Sequence, residues 1–258
     1  MTLEQVAVQM YTLRDHLTTA ADLQRSLEKV AAIGYRSIQY SGPRPVAERE
    51  IAQRAADVGL TINSSHDTPD EILEAPERLV ERMTALGVKL TAMPFPRGVD
   101  LTSTASVDAF IDQMNASGEV LAKAGMTLTY HNHNHEFRKL EGEVILDRIY
   151  RRTEPRFLQG EPDTYWIQIG GGDPVAWCEK LQDRLPMLHL KDLKTNEDNK
   201  PEFAEIGNGN LDFPRIVKAA EASGCQWFIV EQDTTPGDPF DSLAQSLAYI
   251  KAHLLDAE

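Results

Sequence analysis

Cysteine is scarce in this chain: Cys178 and Cys225 are the only two, widely separated and without CxxC spacing. That excludes a disulfide framework and fits buried thiols in a reducing compartment. Positive charge is also short, with 26 Lys and Arg against 40 Asp and Glu, a formal net charge of -14. A surface that binds nucleic acid needs clustered cations to replace condensed counterions, so nucleic acid is not an expected partner. The acidity is spread without long runs of like charge and reads as a solvated surface. No stretch approaches the roughly 20 apolar residues of a membrane span. The opening MTLEQVAVQMYTLRD carries charges where a signal peptide needs an apolar core. A cytoplasmic protein with no membrane partner is expected. No GxGxxG or GxxxxGK[ST] follows the first β-like run, which weighs against an open nucleotide-binding sheet.

What is present is a regular alternation. The 258 residues, 41% hydrophobic, match the usual size of an α/β barrel built as one domain of about 250 residues. Strands are predicted at Val6–Met10, Arg36–Tyr40, Leu60–Ser65, Val88–Met93, from Thr127 onward, Phe157–Asp163, Leu185–Leu190 and Gln226–Glu231. Helices are predicted between them: Leu23–Ile33, Val46–Val58, Pro76–Leu86, Ser106–Ala124, Glu143–Arg152, Pro174–Leu181, Phe213–Ser223 and Pro239–Leu255. Thr195–Asn210 reads as a polar loop. Gly34, Gly59, Gly87 and Gly125 repeat one grammar, in which a helix ends on a left-handed glycine and a strand begins one or two residues later. Eight βα units imply a parallel sheet closed into a single (β/α)8 TIM barrel spanning residues 1–258.

The densest chemistry lies in Met126–Phe137, MTLTYHNHNHEF. Strand alternation puts Thr127, Thr129, His131 and His133 on one face and Leu128, Tyr130 and Asn132 on the other. A polar face ending in imidazole and carboxylate suits metal binding or proton transfer better than packing. Active-site groups of such a barrel sit at the C-terminal strand ends. Those ends carry Gln9, Gln39, His66, His131 with His133, Asp163, His189 with Lys191, and Glu231. One strand-end Asp is commonly a helix cap and one buried His commonly a core residue. Together, on successive strands, these groups are hard to assign to packing.

The segments VQMYTLRD, YHNHNHEF, DTYWIQIGGGDPVAW, HLKD, IGNGNLDF and IVEQD, in this order and spacing, resemble the sugar phosphate isomerase/epimerase family of xylose-isomerase-like barrels. That family includes ketose 3-epimerases, inosose dehydratase and, more distantly, endonuclease IV. The resemblance implies one divalent metal ion (manganese, zinc, cobalt, iron or magnesium) held by His131, Asp163, His189 and Glu231. Many epimerases of the family have Glu, as ligand and base, where this chain has His131. Glu136 or His133 is then left as the base, or Glu136 curls back as the ligand. Relatives with several metals have His where this chain has Trp166, and a loop histidine where it has Phe203–Glu205, so a multinuclear nuclease site is not expected.

The resemblance implies a metal-dependent isomerase or epimerase acting on a ketose-type sugar or cyclitol through a metal-stabilised enediolate. A dehydratase or lyase sharing that enolisation is the alternative, and a non-catalytic sugar-binding barrel a third reading. Catalytic roles are expected for Glu231, Glu136, His133 and Lys191, and substrate contacts for Gln9, His66 and Trp166. Tyr11, Phe95 and Trp166 are candidates for a sugar-stacking platform, whereas Trp227 is expected in the core. Assembly into a homo-oligomer is left open.

Overall fold

Eight short, largely buried strands carry the architecture: β1 (Val6–Gln9), β2 (Ser37–Tyr40), β3 (Thr61–His66), β4 (Leu90–Met93), β5 (Thr127–His131), β6 (Leu158–Glu161), β7 (Met187–Leu190) and β8 (Trp227–Val230). The computed structural model, which describes residues 1–256, pairs β1 through β6 in sequence, with β8 on the other side of β1 and β7 beyond it. Every one of these pairings is parallel. The strip closes where β6 meets β7, through a single parallel bridge between Asp163 and His189. At this seam His189 N–H donates to Pro162 O at 2.9 Å and Gly160 N–H to Arg184 O at 2.7 Å. The Arg184 guanidinium adds donors to Leu158 O (2.8 Å) and Tyr150 O (2.6 Å). The result is the (β/α)8 barrel expected from the alternation.

Among the described residues ten α-helices wrap it: α1 (Ala20–Ile33), α2 (Glu48–Asp57), α3 (Pro69–Glu74), α4 (Pro76–Leu86), α5 (Thr104–Lys123), α6 (Ile145–Arg152), α7 (Thr164–Ile169), α8 (Pro174–Lys180), α9 (Phe213–Ala222) and α10 (Pro239–His253). Local chemistry sets their ends. Thr19 accepts the Asp22 N–H and Asp22 returns a bond to the Thr19 N–H, a capping box that starts α1. Gly34 stops α1 at a φ of 111°, a conformation that L side chains avoid. Outward strand residues such as Val6, Val8, Ile38, Leu128 and Tyr130 are fully buried under the helices. Among the described residues no helix is long and apolar enough to cross a membrane.

Three segments differ from expectation. The polar stretch after β7 is a hairpin, Asp192–Thr195 against Pro201–Ala204, because Asp192 gathers the chain behind it. Its carboxylate accepts N–H groups from Leu193 (2.7 Å), Gly207 (2.9 Å), Gly209 (2.9 Å) and Leu211 (3.3 Å). Glu143 and Val144 belong to a second small hairpin with Lys139–Leu140, so α6 starts two residues late. Asp163 is not the end of a strand but the N-cap of α7, accepting the Trp166 N–H at 3.0 Å.

One close approach makes a stability test. A Cβ on Gly118, inside α5, would lie 2.1 Å from Phe157 O. Alanine is favoured over glycine in a helix by about 1 kcal/mol, but overpacking a backbone contact costs about 1–3 kcal/mol or more. Gly118→Ala is therefore expected to lower the urea midpoint. An unchanged or raised midpoint would show that α5 yields freely there.

Candidate active site

A parallel barrel points alternate residues inward, and in this chain many of those positions are polar rather than aliphatic. Gln9, Gln39, Ser64, Thr129, Glu161 and His189 fill the interior, all fully buried. Gln9 Nε2 donates to Gln39 Oε1 at 2.6 Å, and Gln39 Nε2 donates to Ser64 Oγ at 2.9 Å and Glu161 Oε1 at 2.5 Å. Buried polar groups must be paired, and this network pairs them beneath the C-terminal rim.

Above the network the four residues assigned as metal ligands converge. One donor atom from each of His131, Asp163, His189 and Glu231 lies within 4.8 Å of all the others. His131 Nε2 is 3.8 Å from Asp163 Oδ2, and His189 Nδ1 is 4.0 Å from Asp163 Oδ2 and 2.9 Å from Glu231 Oε2. His131 Nδ1 and Asp163 Oδ2 are buried without a hydrogen-bond partner. Lys191 Nζ is the cation nearest to these carboxylates, 2.7 Å from Glu231, 3.0 Å from Asp163 and 3.2 Å from Asp233. Its contact with Asp163 is an ion contact, not an aligned hydrogen bond. Donor atoms buried without hydrogen bonds, beside two further imidazole and carboxylate donors, fit a site for a further cation. A second cluster, His66, His131, Glu161 and His189, is equally compact, but its carboxylate is already paired to His66 and His189 at 2.9 and 3.1 Å.

Protonation follows burial and charge. Burial pushes His131 well below the usual imidazole range, and it lowers His133 to about 4 against the opposing pull of Glu136. Both rings are neutral at pH 7, the form that binds metals and accepts protons. Burial raises Asp163 and, with Glu231 beside it, lifts Asp233 to about 6. For His189 the carboxylates Glu161 and Glu231 outweigh burial and raise it to about 10. Burial would raise Glu231 too, yet Lys191 and His189 hold it below the carboxylate range. Lys191 is likewise kept charged, in spite of burial, by Asp163, Glu231 and Asp233.

A cavity of about 320 Å³ opens over this cluster, reaching His66, His131, His133, Glu231 and Asp233. Tyr11 and Phe95, 41% and 42% exposed, line its outer part. Trp227 opens β8, at the barrel end away from the rim. Not every expected residue reaches the cavity. Gln9 lies below it, in the network. Trp166 stands behind it, 5.2 Å from the His133 ring, with its indole Nε1 buried and unpartnered. Glu136 faces away: its carboxylate accepts from Tyr130 Oη (2.8 Å) and the His133 N–H (2.9 Å), on the strand face opposite His131. Three residues that the sequence reading passed over belong to the site. Asp233 binds Lys191, Asp67 lines the cavity, and Glu161 lies at the centre of the network. Glu161 was legible in principle, since it ends β6 two residues before Asp163.

Comparison with known proteins agrees with this fold. Residues 27–253 match the family model described as xylose isomerase-like TIM barrel. The chain is 29% identical over 161 residues to an inosose dehydratase from Geobacillus thermodenitrificans, an alignment covering 56% of this chain and 53% of that protein. It thus spans about half the length of that relative. With an inosose dehydratase from Lactiplantibacillus plantarum the identity is 23% over 91% of this chain and 90% of that one. A solved sugar phosphate isomerase/epimerase from Parabacteroides distasonis superposes with a TM-score of 0.82 at 25% identity, covering 96% of this chain and 98% of the other. An L-ribulose 3-epimerase, at 16% identity and a TM-score of 0.77 over 98% of this chain and 95% of its own, shares the fold.

Proposed function

We propose, from the premise that this chain belongs to the xylose isomerase-like TIM barrel family, that its cavity enolises a ketose-type sugar or a cyclitol ketone. The observation that carries the reading is the convergence of His131, Asp163, His189 and Glu231 under the cavity, with His131 Nδ1 and Asp163 Oδ2 unpartnered. A divalent ion held by these four side chains would supply Lewis-acid stabilisation of the oxygen that gains charge on enolisation. A donor set of two imidazoles and two carboxylates suits manganese, iron, cobalt or zinc better than magnesium, which prefers oxygen. His133, neutral and in the cavity wall, takes the α-proton. Lys191, paired with Glu231 and Asp233, holds a proton on the other side of the cluster for return to carbon or oxygen. His66 binds a substrate hydroxyl, and burial of the whole cluster excludes competing water.

Proton return to the opposite face makes an epimer, and return to the neighbouring carbon makes an aldose–ketose isomer. Loss of a β-hydroxyl makes a dehydratase. Isomerase or epimerase is the first reading. Dehydration of an inosose is the second, favoured by the two inosose dehydratases similar to this chain. The test is solvent exchange: candidate ketoses and inososes in deuterated water, with the protein before and after chelation. Uptake of deuterium at the α-carbon that chelation stops and the metal restores is expected, with loss of water from the inosose if the second reading holds. Binding of sugars without exchange, unaffected by chelation, would make this a sugar-binding barrel instead.

A further inference from the structure

We propose that Glu161 is a positioning residue that sets which ring nitrogen His189 and His66 present to the cavity. The inference rests on reading His189 as an ion ligand, and its test separates the two. Glu161 is fully buried on the inward face of β6. Its Oε1 lies 2.5 Å from Gln39 Nε2 and 3.1 Å from His189 Nε2, and its Oε2 lies 2.9 Å from His66 Nε2. Gln39 has one amide orientation compatible with these neighbours. Its NH2 donates to Glu161 and Ser64, so its Oε1 accepts from Gln9 Nε2 at 2.6 Å and from His189 Nε2 at 2.9 Å. His189 Nε2 therefore faces two acceptors and must carry a proton. The nitrogen left to act as a ligand is Nδ1, the one on the side of Asp163 and Glu231. His66 is held in the same way, by Nε2 on Glu161, leaving Nδ1 as its remaining polar atom. A carboxylate that accepts the distal N–H of a ligand histidine fixes the ring and raises the basicity of its other nitrogen; losing it costs about 10–100-fold in metal affinity.

The experiment uses full-length protein with 15N-labelled histidine and the variant Glu161→Gln. Its amide can accept from one imidazole only and must present NH2 to the other. In long-range 1H–15N correlations without added metal, recorded above the pH at which the His189 ring becomes neutral, wild type is expected to show Nε2 protonated on both rings, and the variant to lose that proton on one of them. Titrated with cobalt(II) alone, the variant is expected to bind about 10- to 100-fold more weakly, with altered d–d absorption. Unchanged Nε2 protonation on both rings, or cobalt affinity within twofold of wild type, would overturn the proposal. If wild type takes up no cobalt, the ligand reading of His189 fails and the nitrogen assignment alone decides about Glu161. If Glu161→Gln does not fold, zinc-loaded wild type decides: Nε2 of His189 protonated supports the proposal, and Nδ1 protonated refutes it.

Discussion

Under the proposed function, replacing Glu231 with glutamine is expected to lower divalent-ion uptake and α-proton exchange together. The carboxylate lies 2.7 Å from Lys191 Nζ and 2.9 Å from His189 Nδ1, so the substitution removes one charge from a buried cluster without changing its shape. Breaking a buried charge pair also costs about 3–5 kcal/mol of folding stability, so a lowered melting temperature should accompany the loss of the ion. Asp163→Asn is the sharper companion. Asn caps helices about as well as Asp, so the bond from the Trp166 N–H at 3.0 Å survives while the unpartnered Oδ2 is lost as an anionic donor. Bound metal and exchange activity should fall together, and the melting temperature should fall as well, because Oδ2 also gives up its 3.0 Å ion contact with Lys191. Either variant with full metal and full turnover would remove its residue from the ligand set.

The second large effect distinguishes the three groups of the histidine stretch. His131→Ala should abolish tight metal binding, because it deletes one of four donors. His133→Ala should keep the ion and lose about 10²- to 10⁴-fold in α-proton exchange, the usual contribution of a general base. Glu136→Gln should keep the ion and most of the exchange. Both of its oxygens are taken by Tyr130 Oη and the His133 N–H, so the expected loss is in stability, about 1–3 kcal/mol for a buried bond left unmade. Metal analysis and exchange rates on the three variants give the answer. A metal-free Glu136→Gln beside a metal-loaded His131→Ala would mean that the turn at 132–136 rearranges to bring the carboxylate inward.

The sequence reading and the structure part company at identifiable places. The barrel was legible because its signals are local: helix, left-handed glycine, strand, repeated until the count reaches eight. His131, Asp163, His189 and Glu231 were legible as a group because each stands at or beside a strand end. Glu136 was misleading, since proximity in the chain to His131 says nothing about which face of the strand the carboxylate takes after the turn. Tyr130, buried on the outer face with a hydroxyl to satisfy, claims it. Glu161 was hidden by its neighbours: Gly160 and Pro162 make QGEPD look like a turn, although its period-2 spacing from Asp163 is intact. The Asp192 hairpin was hidden for a different reason. It is organised by one carboxylate collecting N–H groups up to 19 residues away, and such long-range bonds leave no periodic trace.

The seam between β6 and β7 leaves backbone acceptors that a full ladder would have filled. A barrel avoids aggregation by leaving no strand edge to extend, yet these two strands share one bridge and would otherwise offer a template to a foreign strand. Arg184 answers that liability. Its guanidinium occupies Leu158 O at the start of β6, along with Tyr150 O and Thr153 Oγ1, so the acceptor that an intruding strand would need is already taken. A side chain thus fills an acceptor that a strand ladder would otherwise use, and the wall that carries Asp163 and His189 is closed by an arginine as well as by backbone.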